Sequence, residues 1–483
     1  MDKVKFYTEK EVPLEFHRVK IVQKLNLLPL EARLDVLESS GYNSYRMHSS
    51  DVYLDMLTDS GTNAMSDRQL GAMMWADDAY AGCASFTRLE DAVQDIIGKR
   101  YVIPSHQGRA AEHTLMTALI KEGDIIPMNY HFGTSVTQIQ LAGGRFVELV
   151  NREKAFKSDS NDPFKGNVDL TLLEEVIKQY GVEKIPYLRM EASTNLIGGQ
   201  PFSMENFREV RRITKENGIR IILDATLLAE NAYLVTQREE EFKGKSLRET
   251  FRAFCDLADI VYFSARKLGF AKGAVIATDS LEEKYKMDDV VATYEGFINY
   301  GGMSTKEIEA IATGLYEAMD EEYTSQSPDF IRYFVENAVA YGIPMVTPPG
   351  VLGAQIDAQK FCEHLTYKDL PSTSLCVAIY LAGGIRVMDG GTGGEAFADS
   401  DSDKKADMEL VRIAFPRRVF TLSQTIFALD RIKWVYDHRH LIGGMTFDDL
   451  PMLRRSFRTP LKPIGDWVEK LAEQFRKDFK NSR

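Results

Sequence analysis

Cysteine is scarce in this chain: four occur in 483 residues, Cys83, Cys255, Cys362 and Cys376. None forms a CxxC pair, which argues against a disulfide scaffold or a zinc ribbon, and with neighbours such as Phe254, Phe361 and Leu375 they read as reduced core residues. The eight histidines form no ligand pattern. His438-x-His440, close to Trp434 and Tyr436, reads as a polar helix end, so no metal site is expected. Long apolar runs are missing too, since nothing approaches the roughly eighteen consecutive apolar residues of a membrane span. The opening Met1-Asp2-Lys3-Val4-Lys5-Phe6 lacks the apolar stretch of a signal peptide, and a cytoplasmic location is expected. Positive charge is in deficit: 59 Lys and Arg against 71 Asp and Glu leave a net charge of -12. That balance argues against nucleic acid as a partner and leaves small molecules and other subunits. Asp399-Ser400-Asp401-Ser402-Asp403 hints at calcium, but the Gly and Glu spacing of an EF-hand loop is absent, and 389–407 reads as a solvated loop. Internal repeats are absent.

What is present belongs to a globular protein, with 44% hydrophobic and 27% charged residues and length enough for two or three domains. Between Val168 and Thr278 helical and strand patterns alternate. Leu172, Leu173, Val176 and Ile177 mark a helical face ended by Gly181, and Ser203 suits the cap of a helix carrying Phe207, Val210 and Ile213. Strands are expected at 185–190, 219–223, 260–263 and 274–277. Such alternation predicts an α/β domain with a mainly parallel sheet flanked by helices, whose ligands gather at the carboxyl ends of the strands. From about Asp320 the pattern changes toward a smaller α+β domain. The expected division is an N-terminal arm and part of the small domain over 1–57, a large domain over 58–320 and a C-terminal small domain over 321–483.

Two residues stand at such carboxyl ends. Asp224 closes Ile219-Arg220-Ile221-Ile222-Leu223, and Ser264-Ala265-Arg266-Lys267 follows Ile260-Val261-Tyr262-Phe263. An acid and a Ser-x-x-Lys so placed suit pyridoxal phosphate: the carboxylate keeps the pyridine nitrogen protonated and the amine holds the aldehyde. Gln107-Gly108-Arg109 before an apparent helix from Glu112 to Ile120 suits a phosphate, which backbone amides at a helix N-terminus bind. Lys272 is the rival to Lys267.

Other strings stand around these: Thr58-Asp59-Ser60-Gly61-Thr62-Asn63, Asp78-Ala79-Tyr80-Ala81-Gly82, Asn195-Leu196-Ile197-Gly198-Gly199-Gln200-Pro201, Glu230-Asn231-Ala232-Tyr233 and Val411-Arg412-Ile413. In order and spacing the whole resembles the tryptophanase and tyrosine phenol-lyase family of β-eliminating, pyridoxal-phosphate-dependent lyases, from about Pro13 to about Arg458. The resemblance implies the fold type I architecture of aspartate aminotransferase and a homotetramer. It implies that Lys267, Gln107, Gly108, Arg109, Phe132, Asn195, Asp224 and Ser264 bind the cofactor, with Phe132 stacked on its ring and Asn195 facing its phenolic oxygen. Tyr80 resembles the general acid that protonates the departing group. Arg412 resembles the guanidinium that grips the substrate α-carboxylate, while Thr58 and Ser60 help orient substrate and cofactor.

The departures from the family cluster around substrate selection. Leu227 replaces an arginine near the phenolic oxygen, and Arg266 replaces the lysine before Lys267. A shortened segment after Lys267, with Asp78 for a glutamate, makes potassium activation doubtful. Gly133 and Gly390 stand where tyrosine phenol-lyases hold the phenol hydroxyl with a threonine and an arginine, and Arg455 stands near the position of a tryptophanase histidine. Met388 keeps an apolar wall. The expected activity is therefore β-elimination from a β-substituted L-amino acid, giving the free side chain, pyruvate and ammonia, with tyrosine and tryptophan poor substrates. An aldolase-like or biosynthetic carbon–carbon chemistry is the nearest alternative, and a non-catalytic cofactor-binding protein the more distant one.

Overall fold

A computed structural model describes residues 12–394, 405–448 and 457–480. The chain divides into two units, one formed by Asp59–Ala155 and Asp162–Gln326, the other by Glu11–Thr58, Phe156–Asn161 and Ser327–Arg483. Strands are numbered along the chain, and β1 (Leu54–Met56) belongs to the second unit.

The next seven strands form the sheet of the first unit: β2 (Tyr101–Ser105), β3 (Ile125–Met128), β4 (Arg145–Glu148), β5 (Tyr187–Glu191), β6 (Arg220–Asp224), β7 (Ile260–Ser264) and β8 (Ala274–Thr278). Their order is β2-β8-β7-β6-β5-β3-β4. The five from β7 to β4 run parallel, and β8 is antiparallel to both β7 and β2. Parallel strands carry helices on both faces and must be apolar on both, which is why Ile221-Ile222-Leu223 and Ile260-Val261 are continuous apolar runs, all buried. The covering helices are local in origin. Ser203 caps Met204–Glu216 by accepting a hydrogen bond from the Asn206 N–H, and that helix buries Phe207, Val210 and Ile213. A Ser246/Glu249 capping box opens Leu247–Asp256, which buries Phe251 and Phe254. Burying each such side chain contributes about 1.5–3 kcal/mol.

One boundary differs from expectation in a way that matters for the site. The helix expected from Glu112 begins at Gly108 and runs to Leu119. Gln107 is extended (φ -169°, ψ 167°) and caps it, so Arg109 lies inside the first helical turn rather than in a preceding loop.

In the second unit β1 lies parallel to β10 (Ile385–Asp389), and β10, β11 (Leu410–Ala414) and β9 (Gly353–Asp357) continue antiparallel to one another. The helix Pro371–Gly383 has every residue buried, as expected of one that is apolar all round. Leu375, Val377, Ile379 and Leu381 join Phe334, Ile432 and Phe475 in one core. All four cysteines are buried and free. Among the described residues no helix is long and apolar enough to cross a membrane.

Candidate active site

Lys267 follows β7 in a turn where its N–H donates to the Ser264 carbonyl at 3.1 Å. Its side chain is only 12% exposed, and Nζ lies 3.8 Å from Oδ1 of the buried Asp59. A glycine-containing loop holds the turn: the Gly61 N–H and the Asn63 amide both donate to the Arg266 carbonyl, at 3.2 and 2.8 Å. Gly61 has φ +79°, a left-handed conformation that favours glycine. Lys272 by contrast is exposed.

Gly108 lies directly against Ser264, since a Cβ at Gly108 would stand 2.9 Å from Ser264 Cβ and 3.3 Å from its Oγ. The first turn of Gly108–Leu119 and the end of β7 thus meet in one corner, and the first N–H groups of a helix have no partner of their own within it. Arg109 is exposed in that first turn. Thr226 ties the corner to Asp224: its N–H donates to Asp224 Oδ1 at 3.1 Å, and its Oγ1 accepts from the Ser264 N–H at 3.0 Å.

Asp224 ends β6, buried, and its other oxygen is also engaged. Oδ2 accepts from Arg189 Nη2 at 2.7 Å and from the Tyr262 hydroxyl at 3.0 Å. Arg189 Nε donates to the Tyr262 oxygen at 3.0 Å and Nη1 to Glu191 Oε2 at 3.3 Å. Glu112, on the helix above, lies 3.3 Å from the Tyr262 hydroxyl and 3.7 Å from Arg189 Nη2, and accepts from Thr134 Oγ1 at 2.6 Å and from Ser135. The strands explain the assembly. Glu191, Asp224 and Tyr262 are register partners across β5, β6 and β7, and Arg189, two residues before Glu191, shares its face.

Charge states follow from this packing. Burial opposes the Arg189 charge, but Tyr262, Asp224, Glu191 and Glu112 around it more than reverse that and raise its pKa well above the usual value. Burial pushes Tyr262 well above an ordinary phenol despite Arg189, so its hydroxyl remains a donor. Burial likewise raises Glu112, with Arg189 opposing. It raises Glu191 from 4.5 to about 7, Arg189 again opposing and Asp224 adding to the rise.

Asn195 opens a short helical turn and is buried, its N–H donating to Glu191 Oε1 at 3.3 Å. Phe132, half-buried, caps the helix Gly133–Leu141. Gly133 is exposed, and a Cβ there would meet nothing within 4 Å. Ser60 is half-buried in the loop beside Asp59. Tyr80 is 67% exposed and stacks on Phe297, with centroids 4.5 Å apart, and edge-on to Tyr300; no hydrogen bond or ring contact among the described residues ties it to Lys267 or Asp224. Leu227 is buried.

The second unit holds its own group. Arg412, on β11, is buried, pairs in register with Met388 of β10, and donates from Nη2 to the Leu57 carbonyl at 3.1 Å, next to Thr58. Residues directly opposite in antiparallel strands share a face, so Met388 and Arg412 stand side by side. The Gly390 N–H donates to the Leu410 carbonyl at 2.8 Å. Arg455 and the 399–403 acidic string lie outside the described residues.

Asp59, Thr226, Arg189, Glu191, Tyr262 and Glu112 had no role in the sequence reading. The detectable signal was Arg189 and Glu191, charged residues at alternate positions in a buried strand.

Comparison with known proteins agrees with this architecture. Residues 55–429 match the family model described as beta-eliminating lyase. A tyrosine phenol-lyase of Symbiobacterium sp. (strain SC-1) is 38% identical over 453 residues, 93% of this chain and 99% of that protein. A second, of Pasteurella multocida (strain Pm70), is 35% identical over 461 residues, 94% of this chain and 99% of that one. Among solved structures, a serine palmitoyltransferase from S. paucimobilis with bound PLP and myriocin superposes with a TM-score of 0.57 at 13% identity, covering 81% of this chain and 89% of that one. The Sphingomonas wittichii serine palmitoyltransferase gives 0.54 at 13% identity, covering 81% and 88%. These structural likenesses establish the shared fold, type I of the pyridoxal-phosphate enzymes. The extent of the family match and the level of identity establish more: the chain belongs to the beta-eliminating lyase family and is a pyridoxal-phosphate-dependent carbon–carbon lyase.

Proposed function

We propose that this lyase eliminates the β-substituent of an L-amino acid other than tyrosine or tryptophan, releasing the side chain with pyruvate and ammonia. Support for the cofactor's fit comes from the corner where Gly108 packs too closely on Ser264 to carry a side chain, with helix amides suited to a phosphate, and from Asp224 and Lys267 at the carboxyl ends of neighbouring parallel strands of the same sheet. Bound there, pyridoxal phosphate supplies an electron-accepting ring for the carbanion at a substrate α-carbon. Gln107, Gly108, Arg109 and Ser264 would hold its phosphate, Phe132 would pack on its ring, Asn195 would face its phenolic oxygen and Asp224 would keep a proton on its ring nitrogen. Lys267 would hold the aldehyde of the bound cofactor, and its amine, when free, is placed to take the α-proton of a substrate. Tyr80 gives its phenolic proton to the departing group. Arg412 takes the α-carboxylate, which suits a planar guanidinium fork, with Thr58 and Ser60 assisting.

The observation that carries the substrate reading is the pair Gly133 and Gly390. Neither offers a side-chain polar group, and the space at Gly133 is open. A site that hydrogen-bonds a hydroxyl selects for it by large factors, so a pocket without those groups loses the selection for tyrosine that such contacts provide. The reading in which tyrosine is the substrate is favoured instead by the names of relatives 38% and 35% identical. Pyruvate release measured across tyrosine, tryptophan and β-substituted alanines with smaller or anionic leaving groups separates the two. A kcat/KM for tyrosine or tryptophan equal to that of dedicated lyases overturns the first reading. Met388 and Arg455 belong to the leaving-group side of this proposal. A homotetramer and a cytoplasmic location complete it, with activation by potassium doubtful.

A further inference from the structure

Arg189 is a guanidinium with 1% of its side chain exposed, between three acids and a phenol. Burying a charge in a sheet interior is costly unless every partner is in place, and here the partners converge on one atom. Asp224 Oδ2 takes both Arg189 Nη2 and the Tyr262 hydroxyl, while Glu191 holds the other arm of the guanidinium at 3.3 Å. Two donors on one carboxylate oxygen draw its electron density and fix its rotamer. A second carboxylate behind the guanidinium returns part of that negative potential.

We propose that Arg189, Glu191 and Tyr262 are positioning residues for Asp224 that set how strongly it holds a proton on the cofactor ring nitrogen, Arg189 and Tyr262 weakening the hold and Glu191 strengthening it. This rests on the assignment of Asp224 to the ring nitrogen. The charged and titratable groups facing Asp224 are Arg189 and Glu191 from β5, Tyr262 from β7 and Glu112 from the helix Gly108–Leu119. Strength of ring protonation governs how readily the ring accepts electrons, so the network adjusts reactivity without touching substrate.

The two sides of the network have opposite signs, which a merely structural role does not predict. Once Glu191 is ionised, Glu191→Gln removes negative charge behind Arg189 and lowers the proton affinity of the ring nitrogen. Tyr262→Phe removes a donor from Asp224 Oδ2 and raises it. The experiment loads full-length wild type, Glu191→Gln, Tyr262→Phe and Asp224→Asn with pyridoxal phosphate carrying ¹⁵N in the ring, and follows the ¹⁵N shift against pH. The expected displacement is about one pH unit, a tenfold change in proton affinity, downward for Glu191→Gln and upward for Tyr262→Phe. Shifts in the same direction, or none where Asp224→Asn moves the titration, overturn the proposal and leave the Asp224 assignment intact. An unmoved titration in Asp224→Asn overturns that assignment itself and the proposal with it. Should Glu191→Gln fail to fold, Tyr262→Phe decides alone: an upward displacement supports the network, and a downward one or none refutes it.

Discussion

Glu191→Gln also isolates the energetic cost of an acid buried in the sheet. Burial beside Asp224, opposed by Arg189, takes the Glu191 pKa from 4.5 to about 7. A carboxyl raised in the folded state contributes stability that is fully present below its unfolded value and lost as pH rises through the folded one, because across that interval the folded chain keeps a proton the unfolded chain has released. At about 1.4 kcal/mol per unit the interval is worth about 3 kcal/mol. Glutamine cannot titrate and escapes this loss. It brings a different, pH-independent penalty. The Asn195 N–H donates to Oε1 and Arg189 Nη1 to Oε2, so a glutamine amide satisfies one donor and confronts the other, at about 1–3 kcal/mol. The variant is therefore expected to be the less stable protein at about pH 5, with the deficit shrinking by about 3 kcal/mol, or reversing, by about pH 8. Urea unfolding of both proteins at several pH values, compared at constant m, measures the difference. A gap between wild type and variant that stays constant across that range would refute the reasoning, since it would mean that Glu191 is ionised throughout.

Three further outcomes are expected. Borohydride reduction of the holoenzyme followed by peptide mapping finds the adduct on Lys267, whose side chain is 12% exposed beside Asp59, and an adduct on the exposed Lys272 removes the assignment. Tyr80→Phe spares exchange of the substrate α-proton while slowing leaving-group expulsion by roughly 10²–10⁴-fold; equal losses in both steps point to a packing role against Phe297. Gly108→Ala puts a Cβ 2.9 Å from Ser264 Cβ, which costs about 1–3 kcal/mol as the corner is forced apart, and equilibrium dialysis is expected to show weakened cofactor binding, whereas unchanged affinity and stability would mean that the corner is not the phosphate site.

The parts of the site legible in the sequence are those that local pattern determines. Asp224 and Lys267 each follow a short apolar run, and such runs are visible because strands covered on both faces tolerate little else. Gly108 was legible as a glycine before a helix, though not as the helix's first residue: a glycine reads as a break, and only the extended conformation of Gln107 shows that the helix starts there. The network around Asp224 could not be read in the same way, because its partners meet through strand register. Glu191 pairs with Asp224 and Asp224 with Tyr262, and which residue of one strand faces which of the next is a property of the folded sheet. Even so, the strand itself carried a warning. A guanidinium in a strand buried on both faces is tolerable only if acids surround it, so Arg189 in Tyr187–Glu191 already required partners beyond Glu191. The fold supplies two, Asp224 on the neighbouring strand β6 and Glu112 on the covering helix. A charge in that position is a demand on the rest of the fold, and the residue that meets it most directly is Asp224, the acid proposed for the ring nitrogen.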